Sequence, residues 1–135
     1  MNISDVKIFD IPKILDSRGN LSFIEGEKHI PFRIERCHWI YDVPSGVKRG
    51  GHAYLHNQEF IVALSGSFDI VINDGIEEKL YHLNRSFYGL YIPAMLLRQI
   101  RNFSTNSLAL ILSSIPYNEN DYIREISVYK KLKQL

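Results

Sequence analysis

The chain has 135 residues, 45% apolar and 12% aromatic, which suits one domain with a real core and excludes a disordered polymer. Its 16 basic and 15 acidic residues leave a formal charge of +1, so the total charge gives no argument for a nucleic-acid or membrane-surface partner, while a local basic site for a phosphate stays open. The single cysteine, Cys37, forms no internal disulfide, which suits a reducing cytosol, and its ordinary reading is a core thiol. No apolar run reaches the roughly 18 residues of a membrane-crossing helix. The opening Met1-Asn-Ile-Ser-Asp lacks the basic and apolar regions of a signal peptide, so a cytoplasmic location is expected.

In chain order, Ile3, Val6, Ile8 and Phe9 predict a short strand over 3–9, closed by Asp10 and Pro12. Asp16-Ser-Arg-Gly-Asn20 reads as a turn and Leu21 to Ile24 as the strand after it. Phe32 to Val43 alternates, with Ile34, Arg36, His38 and Ile40 on one face and Arg33, Glu35, Cys37, Trp39 and Tyr41 on the other. The pattern leaves open which face is interior. Pro44-Ser-Gly46 turns the chain into a stretch from Gly46 to Gly66 that carries most of the candidate chemistry.

Phe60 to Leu64 is a buried strand, Ser65-Gly-Ser67 a tight hairpin and Phe68 to Ile72 the return strand. Asn73-Asp74-Gly75 is the strongest turn signal, and Glu77 to Leu83 pairs back. Tyr88 to Ile92 and Leu96 to Phe103 are strands on either side of Pro93, and Ser107 to Ser114 is an apolar run of buried-strand length. Beyond Pro116, Asn118 to Asp121 predicts a cap for a helix from Tyr122 onward, with Lys130, Lys131 and Lys133 in its last turn. No repeat, low-complexity tract or linker interrupts residues 1–135. About nine short strands and one terminal helix predict an all-β sandwich or barrel as a single domain.

Within Gly46–Gly66, His52 and Tyr54 stand two apart and share one strand face, with Glu59 following. The spacing of Gly46, His52, Tyr54, Glu59 and Gly66 resembles the first motif of the cupin barrels, which usually carry His-x-His as two metal ligands. Here the second histidine is Tyr54. The segment matching a cupin's second motif, Pro93 to Asn102, has Arg98 where another histidine ligand would stand. A guanidinium stays protonated and does not ligate a cation, so the expectation is no metal and no other cofactor. His56 is read as a solvated surface histidine.

An arginine projecting into a barrel needs an anion, because an unpaired buried charge costs several kcal/mol. Two readings of Arg98 stand open: an ion pair with Glu59, or a substrate phosphate. Arg49, three residues before His52, is the leading further cation, with Arg18 and Arg36 behind it. His52 has the chemistry to take and return a proton near neutral pH, and Tyr54 to hydrogen-bond a substrate oxygen. The alternative is that His52 only closes a strand-end hydrogen bond.

Arg49-Gly-Gly-His52-Ala, Ala63-Leu-Ser-Gly-Ser-Phe-Asp69, Gly89-Leu-Tyr-Ile92, Asn102-Phe-Ser104 and Asn120-Asp-Tyr-Ile-Arg124 resemble the dTDP-4-keto-6-deoxyglucose 3,4-ketoisomerases. The resemblance runs collinearly from Asp16 to Tyr129. Gly46-Val-Lys-Arg-Gly-Gly-His52 also resembles the catalytic strand of the dTDP-4-keto-rhamnose 3,5-epimerases, cupins that use the matching histidine as base without a metal. The resemblance implies a cupin double-stranded β-helix (jelly roll) with a short C-terminal helix, and a homodimer. It implies a dTDP-linked 4-keto-6-deoxyhexose as substrate and the 3-keto sugar as product, through an enediol, in deoxyamino-sugar synthesis for surface glycans. It implies His52 and Tyr54 as the catalytic pair, with Arg49, Arg98, Arg18, Arg36, Tyr91 and Glu59 binding substrate. Described members carry His-x-His where this chain has His52-Ala-Tyr54, and Trp-His where it has Leu97-Arg98. The rival readings are a 3,5-epimerase, a non-catalytic nucleotide-sugar binding cupin and, disfavoured by the missing ligands, a metal dioxygenase-like cupin.

Overall fold

The computed structural model describes residues 2–134. In chain order the strands are β1 (Lys7–Asp10), β2 (Lys13–Ile14), β3 (Leu21–Ser22), β4 (Arg36–Tyr41), β5 (Arg49–Tyr54) and β6 (Glu59–Ser65). They continue as β7 (Phe68–Asn73), β8 (Glu78–Leu83), β9 (Tyr88–Ile92), β10 (Leu97–Arg101), β11 (Leu108–Ser113) and β12 (Tyr122–Ile123), followed by the helix α1 (Ile126–Leu132). Two five-stranded sheets, ordered β1-β9-β6-β11-β4 and β12-β5-β10-β7-β8, face each other as a cupin jelly roll, and β2 and β3 form a separate two-stranded ribbon. Every strand pair in them is antiparallel, so one face of each sheet meets the core while the other stays free for different cover.

Alternation along β6 sets the two sides. Ile61 and Ala63 point between the sheets and pack with Phe68, Ile70, Ile72, Leu90, Ile100 and Ile111. Phe60 and Val62 point the other way and pack with Leu112 under Ile11, Ile30 and Phe32 of the N-terminal segment. That segment thus serves as a lid on the outside of the first sheet, which explains its apolar residues despite little regular structure. Asp74-Gly75 makes the predicted hairpin: the Asp74 carboxylate accepts from the amides of Ile76 at 2.9 Å and Glu77 at 2.8 Å, and Gly75 supplies φ +95°.

The strands from β6 to β11 fall where the hydrophobic pattern puts them. Four expectations need correction. Residues 3–5 form a 3-10 turn, capped by Asn2, and the strand begins only at Lys7. The 32–43 strand shortens to β4, with Arg36, His38 and Ile40 half-buried on its inner face and Cys37, Trp39 and Tyr41 exposed on the outer one. Cys37 is therefore a surface thiol and not a core one, because β4 is an edge strand whose outer face has no cover. The terminal helix starts at Ile126: Asn118 caps a 3-10 turn at 119–121, and Tyr122 and Ile123 instead pair with Tyr54 and Ala53 on β5. A sheet edge with open amides outcompetes a helix end that has few contacts of its own. Lys130 and Lys131 do occupy the helix's last turn.

Candidate active site

One end of the space between the sheets is apolar and the other is polar. At the polar end β5 contributes His52 and Tyr54, β10 contributes Arg98, β6 contributes Glu59, and β4 contributes Arg36 and His38. Register places them: Arg98 lies opposite His52, while Glu59, Ser113 and Arg36 form one row across the facing sheet.

Arg98 and Glu59 make a buried two-point pair, with Arg98 Nε donating to Glu59 Oε1 at 2.7 Å and Nη2 to Oε2 at 2.8 Å. Both are almost fully enclosed, at 3% and 1% exposure. The Tyr54 hydroxyl donates to the same Glu59 oxygen at 3.2 Å, and the remaining Arg98 arm donates to the Gly50 carbonyl at 3.2 Å. Gly50 is required here. It sits at φ +69° in a bulge where the β5–β10 register slips, and a Cβ would overlap Arg98 Nη1.

The pair settles the two open readings of Arg98. Its guanidinium answers a protein carboxylate, as the ion-pair reading has it. Burial works against the charge of Arg98, yet Glu59 raises its pKa above the ordinary arginine value. Burial likewise opposes ionisation of Glu59, and Arg98 overrides it and holds the carboxyl below its usual range. Burial, reinforced by the Glu59 charge, pushes the Tyr54 phenol up, so it stays protonated and donates.

His52 is 7% exposed and its ring stands edge-on to Tyr54, centroids 4.8 Å apart, with Tyr122 tilted against it at 4.9 Å. Burial, and then the Arg98 charge, lower its pKa to about 3. The imidazole is therefore neutral at pH 7 and able to accept a proton. Its buried Nε2 has no hydrogen-bond partner among the described residues. Across the site, His38 Nδ1 and Arg36 Nε are also buried without partners. Three polar atoms left unsatisfied at one end of a barrel mark space built for something polar.

Beside His52 and Arg98 opens a cavity of about 280 Å³, lined also by Gly51, Gln99, Arg101 and Arg124. Arg124 lies over the Tyr122 ring at 4.4 Å and is held from behind by Glu119 at 3.0 Å. The cavity lies along β10 and β7, and Glu78 also lines it.

The profile of the WxcM-like, C-terminal family (FdtA) matches residues 4–134. The chain belongs to this family of sugar 3,4-ketoisomerases. Its relatives include the TDP-4-oxo-6-deoxy-alpha-D-glucose-3,4-oxoisomerase of Aneurinibacillus thermoaerophilus, 35% identical over 93% of this chain and 90% of that one. Among solved structures, QdtA, a sugar 3,4-ketoisomerase of Thermoanaerobacterium thermosaccharolyticum seen with TDP, superposes with a TM-score of 0.95 at 32% identity, covering 98% of this chain and 97% of its own. A histidine-to-asparagine variant of the same QdtA was solved with TDP-4-keto-6-deoxyglucose. A 3,4-ketoisomerase from Helicobacter canadensis superposes with a TM-score of 0.93 at 38% identity, over 97% of this chain and 98% of the other.

Against the ketoisomerase resemblance, the structure gathers some of the expected site residues and disperses others. His52, Tyr54, Glu59, Arg98 and Arg36 converge. Arg36 reaches Ser113 Oγ at 3.3 Å and lies 5.6 Å from the Tyr117 ring centroid. Arg49 is exposed at the start of β5, its Cα paired with Ile100 on β10. Arg18 is 87% exposed in the 16–20 turn and pairs with Asp16 at 2.6 Å. Tyr91 belongs to the other side of the first sheet, among Phe9, Phe32 and Phe60, and its hydroxyl donates to Gln58. His56 has an 80% exposed side chain held by Asp121, as its surface reading expects. His38, Tyr122 and Arg124 were missed. The alternation of 32–43 did put His38 on the Arg36 face, but pattern alone left the side of that face undecided.

Proposed function

We propose that His52 is the base of a sugar 3,4-ketoisomerase that moves the carbonyl of a dTDP-linked 4-keto-6-deoxyhexose from C4 to C3 without a metal. The observation that supports this most is the buried, neutral, unpartnered Nε2 of His52 at the polar end of the barrel, next to the Arg98–Glu59 pair. His52 removes the C3 proton as the C4 carbonyl takes up the electron pair to give an enediolate; His52 then returns that proton to C4 as the C3 hydroxyl gives up its own proton, which ends on the C4 oxygen, and the C3 carbonyl forms. One imidazole on one face serves both steps. Arg98 supplies a fixed field and, through Glu59, holds Tyr54 as a hydroxyl donor in the same wall. The two charges of a nucleotide diphosphate near Arg101 and Arg124 offset the positive field on His52, which raises its basicity when substrate is in place.

The chemistry of the side chains supports the metal-free reading. The positions where a cupin would hold two further imidazoles carry a protonated phenol and a guanidinium, and the one carboxylate among them is taken by that guanidinium. The test is to mix the protein with dTDP-4-keto-6-deoxyglucose in D2O and follow C3, C4 and C5 by NMR. Deuterium in substrate C3 and product C4 is the expected result. Exchange at C5 would instead indicate a 3,5-epimerase, and no exchange anywhere a binding module.

A homodimer fits the outer face of the first sheet. Trp39 and Tyr41 are 57% and 61% exposed there, and Leu64 is 43% exposed. They line a groove with Leu108 and Leu110 that continues, through Leu64 and Leu110, into a cavity of about 760 Å³ under Phe23 and Phe87. A second copy of this chain, two-fold related, is the occupant the family resemblance implies. Trp39→Glu places a charge at the centre of that face. It is expected to give a monomer in sedimentation velocity at concentrations where the wild type is a dimer, and a wild-type monomer would reject the interface. The reading also carries a cytoplasmic location, where nucleotide sugars are made. No helix among the described residues is long and apolar enough to cross a membrane.

A further inference from the structure

We infer that Asp121 is a positioning residue for the base: its buried carboxylate clips the strand carrying Tyr122 onto the end of β5, so that the Tyr122 ring closes over His52. The inference takes the role of His52 from the ketoisomerase reading and assigns the group that keeps that base enclosed.

Three successive amides of the turn between β5 and β6 end on this one residue. Leu55 N donates to the Asp121 carbonyl at 2.8 Å, His56 N to Oδ1 at 3.0 Å and Asn57 N to Oδ2 at 2.9 Å. The His56 ring lies against the same carboxylate, with Nδ1 3.0 Å from Oδ1. Asp121 is 4% exposed, so protein donors rather than bulk water satisfy its charge. The turn is itself fastened to the facing sheet. Asn57 Oδ1 accepts from Ser114 N at 3.0 Å, and Asn57 Nδ2 donates to Ser113 Oγ at 3.3 Å.

The strand after Asp121 depends on such a clip. β12 has only Tyr122 and Ile123, paired with Tyr54 and Ala53. A two-residue strand at a sheet edge has too few ladder bonds to stay closed by itself. The Asn118 cap and the Arg124–Glu119 pair stay within the segment and do not reach β5 or β6. Tyr122 follows the clip directly, and its ring stands 4.9 Å from that of His52 and 4.8 Å from that of Tyr54.

Enclosure is what the base needs. Burial lowers the pKa of His52 more than the Arg98 charge does. The charged and titratable groups facing its ring are Arg98 of β10, Glu59 of β6, His38 of β4, Arg124 beyond β12, and the phenols of Tyr54 and Tyr122. Cutting the clip leaves Arg98, Glu59 and His38 in place and admits water beside the imidazole. A wetter imidazole binds a proton more readily, so its pKa rises and the neutral base is lost as pH falls through the new value.

The test reads the imidazole itself. The five histidines are labelled with carbon-13 at Cε1, and the signal of His52 is the one missing from His52→Asn. In the wild type it should hold its neutral position from about pH 8 down to about pH 5. In Asp121→Asn it should titrate within that range, with a midpoint above about pH 5. The amide keeps one acceptor oxygen and turns a donor toward the second backbone amide. In the same variant kcat/KM should gain an acid limb at that midpoint, which the wild type lacks there. Tyr122→Leu should reproduce both effects, and the double variant should move the midpoint no further than the larger single change. A His52 signal that stays flat in folded Asp121→Asn or Tyr122→Leu, or shifts that add in the double variant, would overturn the role. Should Asp121→Asn not fold, Asp121→Ser, which keeps one short acceptor, takes its place. The titration needs no turnover, so a wild type with no C3 exchange defeats the ketoisomerase reading and leaves this result readable.

Discussion

His52→Asn is expected to reduce ketoisomerisation by at least about 1,000-fold and to abolish deuterium entry at C3, with TDP affinity close to wild type. A positioned general base contributes on the order of 100- to 10,000-fold, and His52 acts in both the removal and the return of the carbon-bound proton. Asparagine keeps a polar group of similar reach, so the walls formed by Tyr54 and Tyr122 stay in place. The substitution also removes a neutral ring and leaves the Arg98–Glu59 pair untouched, so stability should change little. Calorimetric titration with TDP and exchange at C3 by NMR give the two readouts. Retained C3 exchange in this variant would show that another group is the base.

Arg98→Met should be the most destabilising single change in the site. It leaves the Glu59 carboxylate enclosed at 1% exposure with only the Tyr54 hydroxyl as partner. Removing one member of a buried pair typically costs about 3–5 kcal/mol, because the other charge stays desolvated and uncompensated. For a domain of this size that corresponds to a fall in melting temperature on the order of 10 °C. Adding Glu59→Leu should recover most of the loss, since an apolar pair of similar volume has no charge to desolvate. Activity should not return with stability, because Tyr54 then lacks its acceptor and His52 its neighbouring charge. Thermal melts of the single and double variants test the point. A single variant within about 1 kcal/mol of wild type would show that the pair is not the structural centre of the polar end.

The fold was legible because its strongest signals are local. Asp74-Gly75, Ser65-Gly-Ser67 and the apolar runs at 60–64 and 108–112 each demand a turn or a buried strand wherever they occur. The chain from Pro116 to Ile126 was less legible. Its helix signals are real, but β12 pairs with β5 across a long separation in sequence, and no local pattern announces that contact. The same distinction divides the site. His52 and Tyr54 share a face by period alone. A buried cation needs an anion, which left Arg98 open between Glu59 and a substrate phosphate until the structure showed the pair. Arg49 and Tyr91 look equally promising in sequence, yet one ends on the surface and the other on the far side of a sheet. His38 needed the opposite kind of information. It shares its face with Ile40, which packs on the core between the sheets, while Cys37, Trp39 and Tyr41 on the other face are exposed.

The central claim is that a neutral imidazole in a fixed positive field performs this isomerisation with no bound ion. Protein stripped with a strong chelator and assayed for metal should convert dTDP-4-keto-6-deoxyglucose at the untreated rate, with deuterium from D2O appearing at C4 of the product. Loss of that conversion on stripping, and its recovery with one equivalent of a divalent transition ion, would contradict the claim.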